Sequence, residues 1–338
     1  MRIYSVVIPC YNEEHYIEKC VRSCINQMRD QFAFEMEVLV VDGMSTDRTR
    51  SIVQELAQQF SQVKLIDNPD KITPIALNRG IRAAAGEVVM ILGAHAELTP
   101  RYVEETYRCM HEHPDAGCVG GIIESEFADE VAQAIGLAQT ASFGVGNAYF
   151  RTGQKSGYVD TVAFGAYKKE VFEKVGYFDE ELVRNQDDEM NYRLTKNGIL
   201  IYLDLGIVSK YYVRASLSKL YKQYEQYGFW KVYANKKHKA ITTFRQLVPF
   251  CFVLFVSSGP LLAFIHPLFL LGYALIWLVY FSLALYSAYA PNRSSSTIFT
   301  MIKAFLILHF SYGWGYFKGI FYFLVLGKRP PANAAITR

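Results

Sequence analysis

Three consecutive carboxylates, Asp187-Asp188-Glu189, open a stretch whose apolar residues fall at helical spacing, with Asn185 just ahead of them as a candidate N-cap. A second polar cluster, Asp42-Gly43-Met44-Ser45-Thr46-Asp47, follows a short aliphatic run of the kind that forms a buried strand. A carboxylate at the end of such a strand can accept hydrogen bonds from a nucleobase or a ribose, and the glycine lets backbone approach closely. Simpler roles compete: Ser45 or Thr46 can cap the helix beginning at Asp47, and acids in a first helical turn complement the helix dipole. Further on, residues 247–291 contain no Asp, Glu, Lys or Arg. Acids at the loop ends of an α/β sheet, followed by membrane-embedding sequence, suggest transfer of a nucleotide-activated group from the cytosol to something in the bilayer.

The elements that must position these groups alternate along the first third of the chain. Residues 4–8, 38–41, 63–66 and 88–92 are β-branched or aliphatic runs suited to strands covered on both faces. Between them, 14–26, 47–60, 72–85 and 100–113 carry apolar residues at helical spacing. This order predicts an α/β fold with a doubly wound, mostly parallel sheet, followed by C-terminal membrane helices. Ligands of such sheets bind beyond the C-terminal ends of the strands. The residues to examine are therefore those after each strand, first among them Pro9-Cys10-Tyr11-Asn12-Glu13-Glu14.

With 338 residues, 51% hydrophobic and 20% charged, the chain can bury a large core, and its length favours about two domains. This excludes a disordered or fibrous protein. A net charge of +3 is too small to imply a nucleic-acid partner. The six cysteines include no CxxC pair, which predicts reduced thiols. The N-terminal apolar run is too short for a signal peptide, so a cytosolic N-terminal domain is expected.

Pro9-Cys10-Tyr11-Asn12-Glu13-Glu14, Asp42-Gly43-x-Ser45-Thr46-Asp47, Asn78-Arg79-Gly80 and the acidic run at 186–189 together resemble family 2 glycosyltransferases of the GT-A fold. Gly93-Ala94-His95-Ala96, Val159-Asp160-Thr161, Gly176-Tyr177-Phe178-Asp179-Glu180 and Gln223-Tyr224-x-x-Tyr227-Gly228-x-Trp230 bring the resemblance closer to the transferases of succinoglycan and other exopolysaccharides. It spans roughly residues 3–245, and the order of the motifs gives it its strength. The resemblance implies that Asp42 contacts the base or ribose of a nucleotide-diphosphate sugar, with a UDP-sugar favoured, and that Pro9, Asn12 and Glu13 shape the same pocket. Asn78 and Asp188 join the implied substrate-binding residues, and Gln223 and Trp230 the acceptor and diphosphate end. Asp187 is the implied general base, deprotonating the acceptor hydroxyl for inverting displacement; a sugar hydroxyl is a poor nucleophile and needs such a carboxylate. The acceptor expected is a lipid-linked saccharide, with polyprenyl phosphate, or nucleotide-sugar binding without catalysis, as alternatives.

One departure from the family lies after the fourth strand. An Asp-x-Asp normally holds ribose and a divalent cation there, and this chain has Gly93-Ala94-His95. His95 can ligate Mn²⁺ through a neutral imidazole, and Glu97 is near enough in sequence to assist. Mn²⁺ is therefore expected ahead of Mg²⁺.

Four segments follow from composition: a transferase domain at 1–212, aromatic and basic interface helices at 213–246, a membrane region at 247–327 and a tail at 328–338. The uncharged stretch is about twice the roughly 20 residues that span a bilayer. It reads as two helices, 247–265 and 268–289, entered from the cytosolic side of the inner membrane. Residues 298–326 are ambiguous, because Lys303 and Lys318 interrupt them and a third span would export Lys328, Arg329 and Arg338.

Overall fold

A computed structural model describes residues 2–28, 33–213, 216–242 and 244–331; the tail that includes Arg338 lies outside the described residues. The chain runs β1 (Arg2–Cys10), α1 (Ile17–Ile25), β2 (Phe34–Asp42), α2 (Thr49–Gln59), β3 (Val63–Asp67), α3 (Thr73–Ala83), β4 (Val88–Ile91), β5 (Ala96–Leu98), α4 (Tyr102–Glu112) and β6 (Ala116–Glu126). It continues through α5 (Glu130–Thr140), α6 (Ser142–Val145), α7 (Tyr149–Thr152), β7 (Gly157–Val159), β8 (Ala163–Lys168), α8 (Glu170–Val175), α9 (Gln186–Lys196) and β9 (Leu200–Tyr212). Then come α10 (Leu217–His238), α11 (Val248–Ala263), α12 (Pro267–Ala288) and α13 (Ser295–Gly319), the last running on as a π-helical segment, Ile320–Val325. Two compact units divide the chain: Met1–Ser125 with Tyr149–Tyr212, and Glu126–Ala148 with Val213–Arg338.

The first unit is built on a mixed sheet of order β3-β2-β1-β4-β8-β6-β9-β5, with β7 also paired to β9. β3, β2, β1 and β4 are parallel, in a register that sets Cys10 beside Asp42 and Val7 beside Ile91. β8 turns the sheet antiparallel, against both β4 and β6. The strands alternate between two cores, as a period of two requires. Val6, Ile8, Val38 and Val40 pack with Ile17, Val21, Val53, Leu56 and Val103 of α1, α2 and α4 on one face. Val7, Leu39, Val41 and Val89 pack with Leu77, Ile81, Phe172, Met190 and Leu194 of α3, α8 and α9 on the other. The sheet is thus doubly wound, as expected, and all six cysteines are free thiols. The antiparallel half went unread: β6 holds two adjacent glycines, and β5 and β7 are three residues each, too short for periodicity to register.

The second unit contains three helical stretches long and apolar enough to cross a membrane, Phe244–Leu262, Pro267–Ala288 and Ser295–Val325. The first two match the expected pair. The third resolves the ambiguous segment as one continuous helical stretch, in which Lys318 meets Glu225 of α10 at 2.6 Å. That pairing lowers the cost of a cation there. α10 and α13 cross almost backbone to backbone. A Cβ on Gly228 would lie 1.9 Å from the Tyr312 carbonyl oxygen, and one on Gly315 would lie 1.9 Å from that of Glu225.

Candidate active site

The C-terminal edge of the parallel strands brings together Asp67 of β3, Asp42 of β2, the turn after β1 and the turn after β4. Asp42 is fully buried. One carboxylate oxygen accepts from the Ser45 N–H at 2.9 Å and from Arg50 at 2.7 Å; the other takes the Ser45 hydroxyl and the Cys10 thiol. Arg50 also reaches Asp67 at 2.8 Å, and its hydrogen bonds to Asp42 and then Asp67 push its pKa up. Arg50 escaped sequence reading because it sits within the helical pattern of α2 like any solvated residue. Pro9 lies in the last turn of the pleat of β1, opposite Val41.

Asn12 has φ of 54°, in the left-handed region that asparagine enters more readily than most residues. Its Oδ1 accepts from the Thr46 N–H at 2.8 Å, and its own N–H donates to Ser45 Oγ at 2.7 Å. The next amide, of Glu13, donates to Thr49 Oγ1 at 2.7 Å. Ser45 and Thr46 therefore stitch the loop after β2 to the loop after β1. At the start of α2 the N-cap position is Arg48, without a side-chain cap bond, and the Thr49 N–H donates to Asp47 at 3.0 Å. Burial would raise the Asp47 pKa, but bonds from the Thr49 hydroxyl and from backbone N–H groups outweigh it and hold the carboxyl low.

After β4, Gly93 to Ala96 forms a turn closed by a 3.0 Å backbone bond. A Cβ on Gly93 would stand 3.2 Å from Cε1 of Phe164, so the aromatic ring crowds the place of the missing first acid. His95 is largely buried, meets Tyr211 edge-on with ring centroids 5.1 Å apart, and has Nδ1 3.5 Å from Glu13 Oε1. That nitrogen is buried without a hydrogen-bond partner. Glu97 is used otherwise, accepting a short hydrogen bond from the Tyr212 hydroxyl. Among the described residues no three His, Cys, Asp or Glu side chains converge as a complete metal cage. An orphaned imidazole nitrogen beside a carboxylate nevertheless fits a divalent cation whose remaining ligands come from a diphosphate and water.

Asp187 is the second residue of α9, after Asn185 at φ 61°. It is exposed, and one carboxylate oxygen accepts from the Asp188 N–H at 2.9 Å. Burial, then Cys118, then the Asp187 charge push the Tyr167 phenol up. Asp188 is half-buried. Glu189 differs: 2% exposed, it holds Arg193 through two bonds of 2.7 and 2.9 Å, and Arg193 donates in turn to the carbonyls of Val175, Gly176 and Tyr177. The third acid therefore fixes the turn after α8. Asn78 also fastens a loop, donating to the Phe178 carbonyl and to Glu180 at 2.8 Å each and accepting from the Phe178 N–H at 2.9 Å. Gln223 and Trp230 belong to the second unit: Gln223 donates to the Tyr227 hydroxyl at 2.8 Å, and Trp230 is 3% exposed beside Phe229, Tyr233 and Phe323.

Residues 5–176 match the model of the family described as Glycosyl transferase family 2. Over 68% of this chain and 72% of the relative, the sequence is 34% identical to dolichyl N-acetyl-alpha-D-glucosaminyl phosphate 3-beta-D-2,3-diacetamido-2,3-dideoxy-beta-D-glucuronosyltransferase of Methanococcus voltae. It is 30% identical to the succinoglycan biosynthesis protein ExoA of Rhizobium meliloti, over 77% of this chain and 78% of that protein. Among solved structures, mannosyltransferase PcManGT from Pyrobaculum calidifontis, in complex with GDP-Man and Mn²⁺, shares the fold with a TM-score of 0.61, at 19% identity over 91% of this chain and 85% of that one.

Proposed function

Because the chain belongs to glycosyl transferase family 2, we propose that it transfers a sugar, with inversion, from a UDP-sugar to a lipid-linked saccharide during surface polysaccharide synthesis. The observation that carries this reading is the assembly at one sheet edge of the Asp42–Arg50–Asp67 network, the stitched Asn12–Ser45–Thr46 loops and the His95 turn. In it, the Asp42 network forms the floor under the base and ribose, while Pro9, Asn12 and Glu13 wall the pocket. Asp187 takes the proton of the acceptor hydroxyl as its oxygen bonds to the anomeric carbon, on the face opposite the departing nucleoside diphosphate. Asp187 is an exposed residue at the start of α9. His95 would hold a divalent cation, Mn²⁺ in this reading, which would supply positive charge to the diphosphate. Asp188 lies next to the base, and Asn78 shapes the site through the Phe178–Glu180 loop it anchors.

The acceptor class is supported by the relative whose name gives a dolichyl phosphate already carrying a sugar. Three candidate spans support a membrane location, and basic residues ahead of the first support a catalytic unit on the cytoplasmic side of the inner membrane. Donor choice is tested by calorimetry of full-length protein with UDP, GDP and their sugars in the presence of Mn²⁺. Tighter binding of the uridine ligands is expected, and a preference for guanosine would overturn the donor assignment.

A further inference from the structure

Glu13 and His95 are 82 positions apart in sequence and adjacent in space, and the imidazole does not find the hydrogen bond its chemistry calls for. His95 Nδ1 is buried and makes no hydrogen bond, and the nearest carboxylate oxygen, Glu13 Oε1, is at 3.5 Å. A buried unsatisfied nitrogen costs about 1–3 kcal/mol unless something fills the gap. Divalent ions bind imidazole nitrogen and carboxylate oxygen at about 2.1 Å. Two such bonds to atoms 3.5 Å apart meet at about 110°, an angle that first-row divalent ions accept.

From this spacing we infer that Glu13 is the second protein ligand of the divalent cation, forming with His95 a nitrogen–oxygen pair that replaces the two-acid motif of the family. The inference rests on the nucleotide-sugar reading above, because a diphosphate must complete the shell. Three features prepare the pair. Glu13 is held rigidly, since its amide is tied to Thr49, its neighbour Asn12 is tied to Ser45 and Thr46, and its carbonyl accepts from the Tyr16 and Ile17 N–H groups that begin α1. His95 is held by the turn closed at Ala96 and by the edge of Tyr211. Glu97, two residues on in β5, is engaged by Tyr212, whose ring lies 5.1 Å from that of Tyr16. Glu97 thus braces the sheet edge and is assigned no cation contact.

Mn²⁺ binding to full-length protein in detergent, followed by electron paramagnetic resonance with UDP or GDP present, tests this without turnover. Wild type should show nitrogen hyperfine coupling from one histidine, lost in His95→Ala. Glu13→Gln should weaken Mn²⁺ binding at least tenfold and Glu13→Asp less, while Glu97→Gln keeps both affinity and coupling. Thermal unfolding of each variant checks folding. Wild-type Mn²⁺ affinity in a folded Glu13→Gln, or nitrogen coupling that survives His95→Ala, would overturn the ligand pair. Nucleotide bound in wild type with no nitrogen coupling would overturn it as well and leave the transferase reading standing. Absence of any nucleotide binding, with or without Mn²⁺, would instead overturn that reading.

Discussion

At the residue scale the three acids that open α9 divide their labour. Glu189 is buried with Arg193 and fixes a turn, whereas Asp187 faces solvent. Replacing Asp187 with Asn keeps size and helix start, so nucleotide binding should persist while turnover falls by about two to four orders of magnitude, the usual contribution of a general base. Steady-state kinetics beside a nucleotide titration separate the two effects, and near-normal turnover would remove Asp187 from the mechanism. Gly93→Asp would set a Cβ 3.2 Å from the Phe164 ring, a tight contact that the ring must relieve by shifting a few tenths of an ångström. A lowered melting temperature, partly recovered when Phe164 is also made Leu, is the expected result. Which residues to examine was readable from motif order. What they touch was not: the approach of Glu13 to His95 and of Arg50 to Asp42 depends on loop geometry that no periodicity encodes.

At the scale of elements, the parallel strands and their helices were legible because each strand is mostly aliphatic and each helix has a clear apolar stripe. Glu37 is the exception inside β2, a buried acid that accepts from Ser5 of β1 at 2.6 Å, from Lys64 of β3 at 3.1 Å and from the Ala85 N–H. Burial would raise its pKa, but Ser5, Ala85 and Lys64 together hold it below the ordinary value. A depressed carboxyl pKa contributes stability above the unfolded value of about 4.3, and that contribution is lost as pH falls through the lower folded value. Glu37→Gln should cost roughly 1–3 kcal/mol near neutral pH and flatten the acid limb of stability against pH, measured by denaturant unfolding. α10 holds a corresponding lesson. Its aromatic and basic composition reads as an interface helix, yet Gly228 lies against the α13 backbone. Gly228→Val should lower thermal stability in detergent by about 3 kcal/mol, since neither backbone can yield. An unchanged melting curve would mean that the two helices do not cross there.

For the whole molecule, composition divides soluble from apolar sequence, and the uncharged stretch is found as two helices where expected. The third long helix was obscured by Lys318, whose charge Glu225 partners from 93 positions away. Nor does composition reveal that Glu126–Ala148 groups with the membrane helices, because its small and polar residues look like ordinary surface sequence. Full-length protein should stay in the membrane fraction after alkaline carbonate washing, and release by that treatment would contradict the spans. The most direct measurement is release of nucleoside diphosphate from a panel of nucleotide sugars by purified protein in lipid nanodiscs, with and without polyprenyl-diphosphate-linked saccharides. A sugar transferase with Asp187 as its base gives release that depends on the lipid-linked acceptor and disappears in Asp187→Asn. Nucleotide binding with no acceptor-dependent release from any donor of the panel would contradict it.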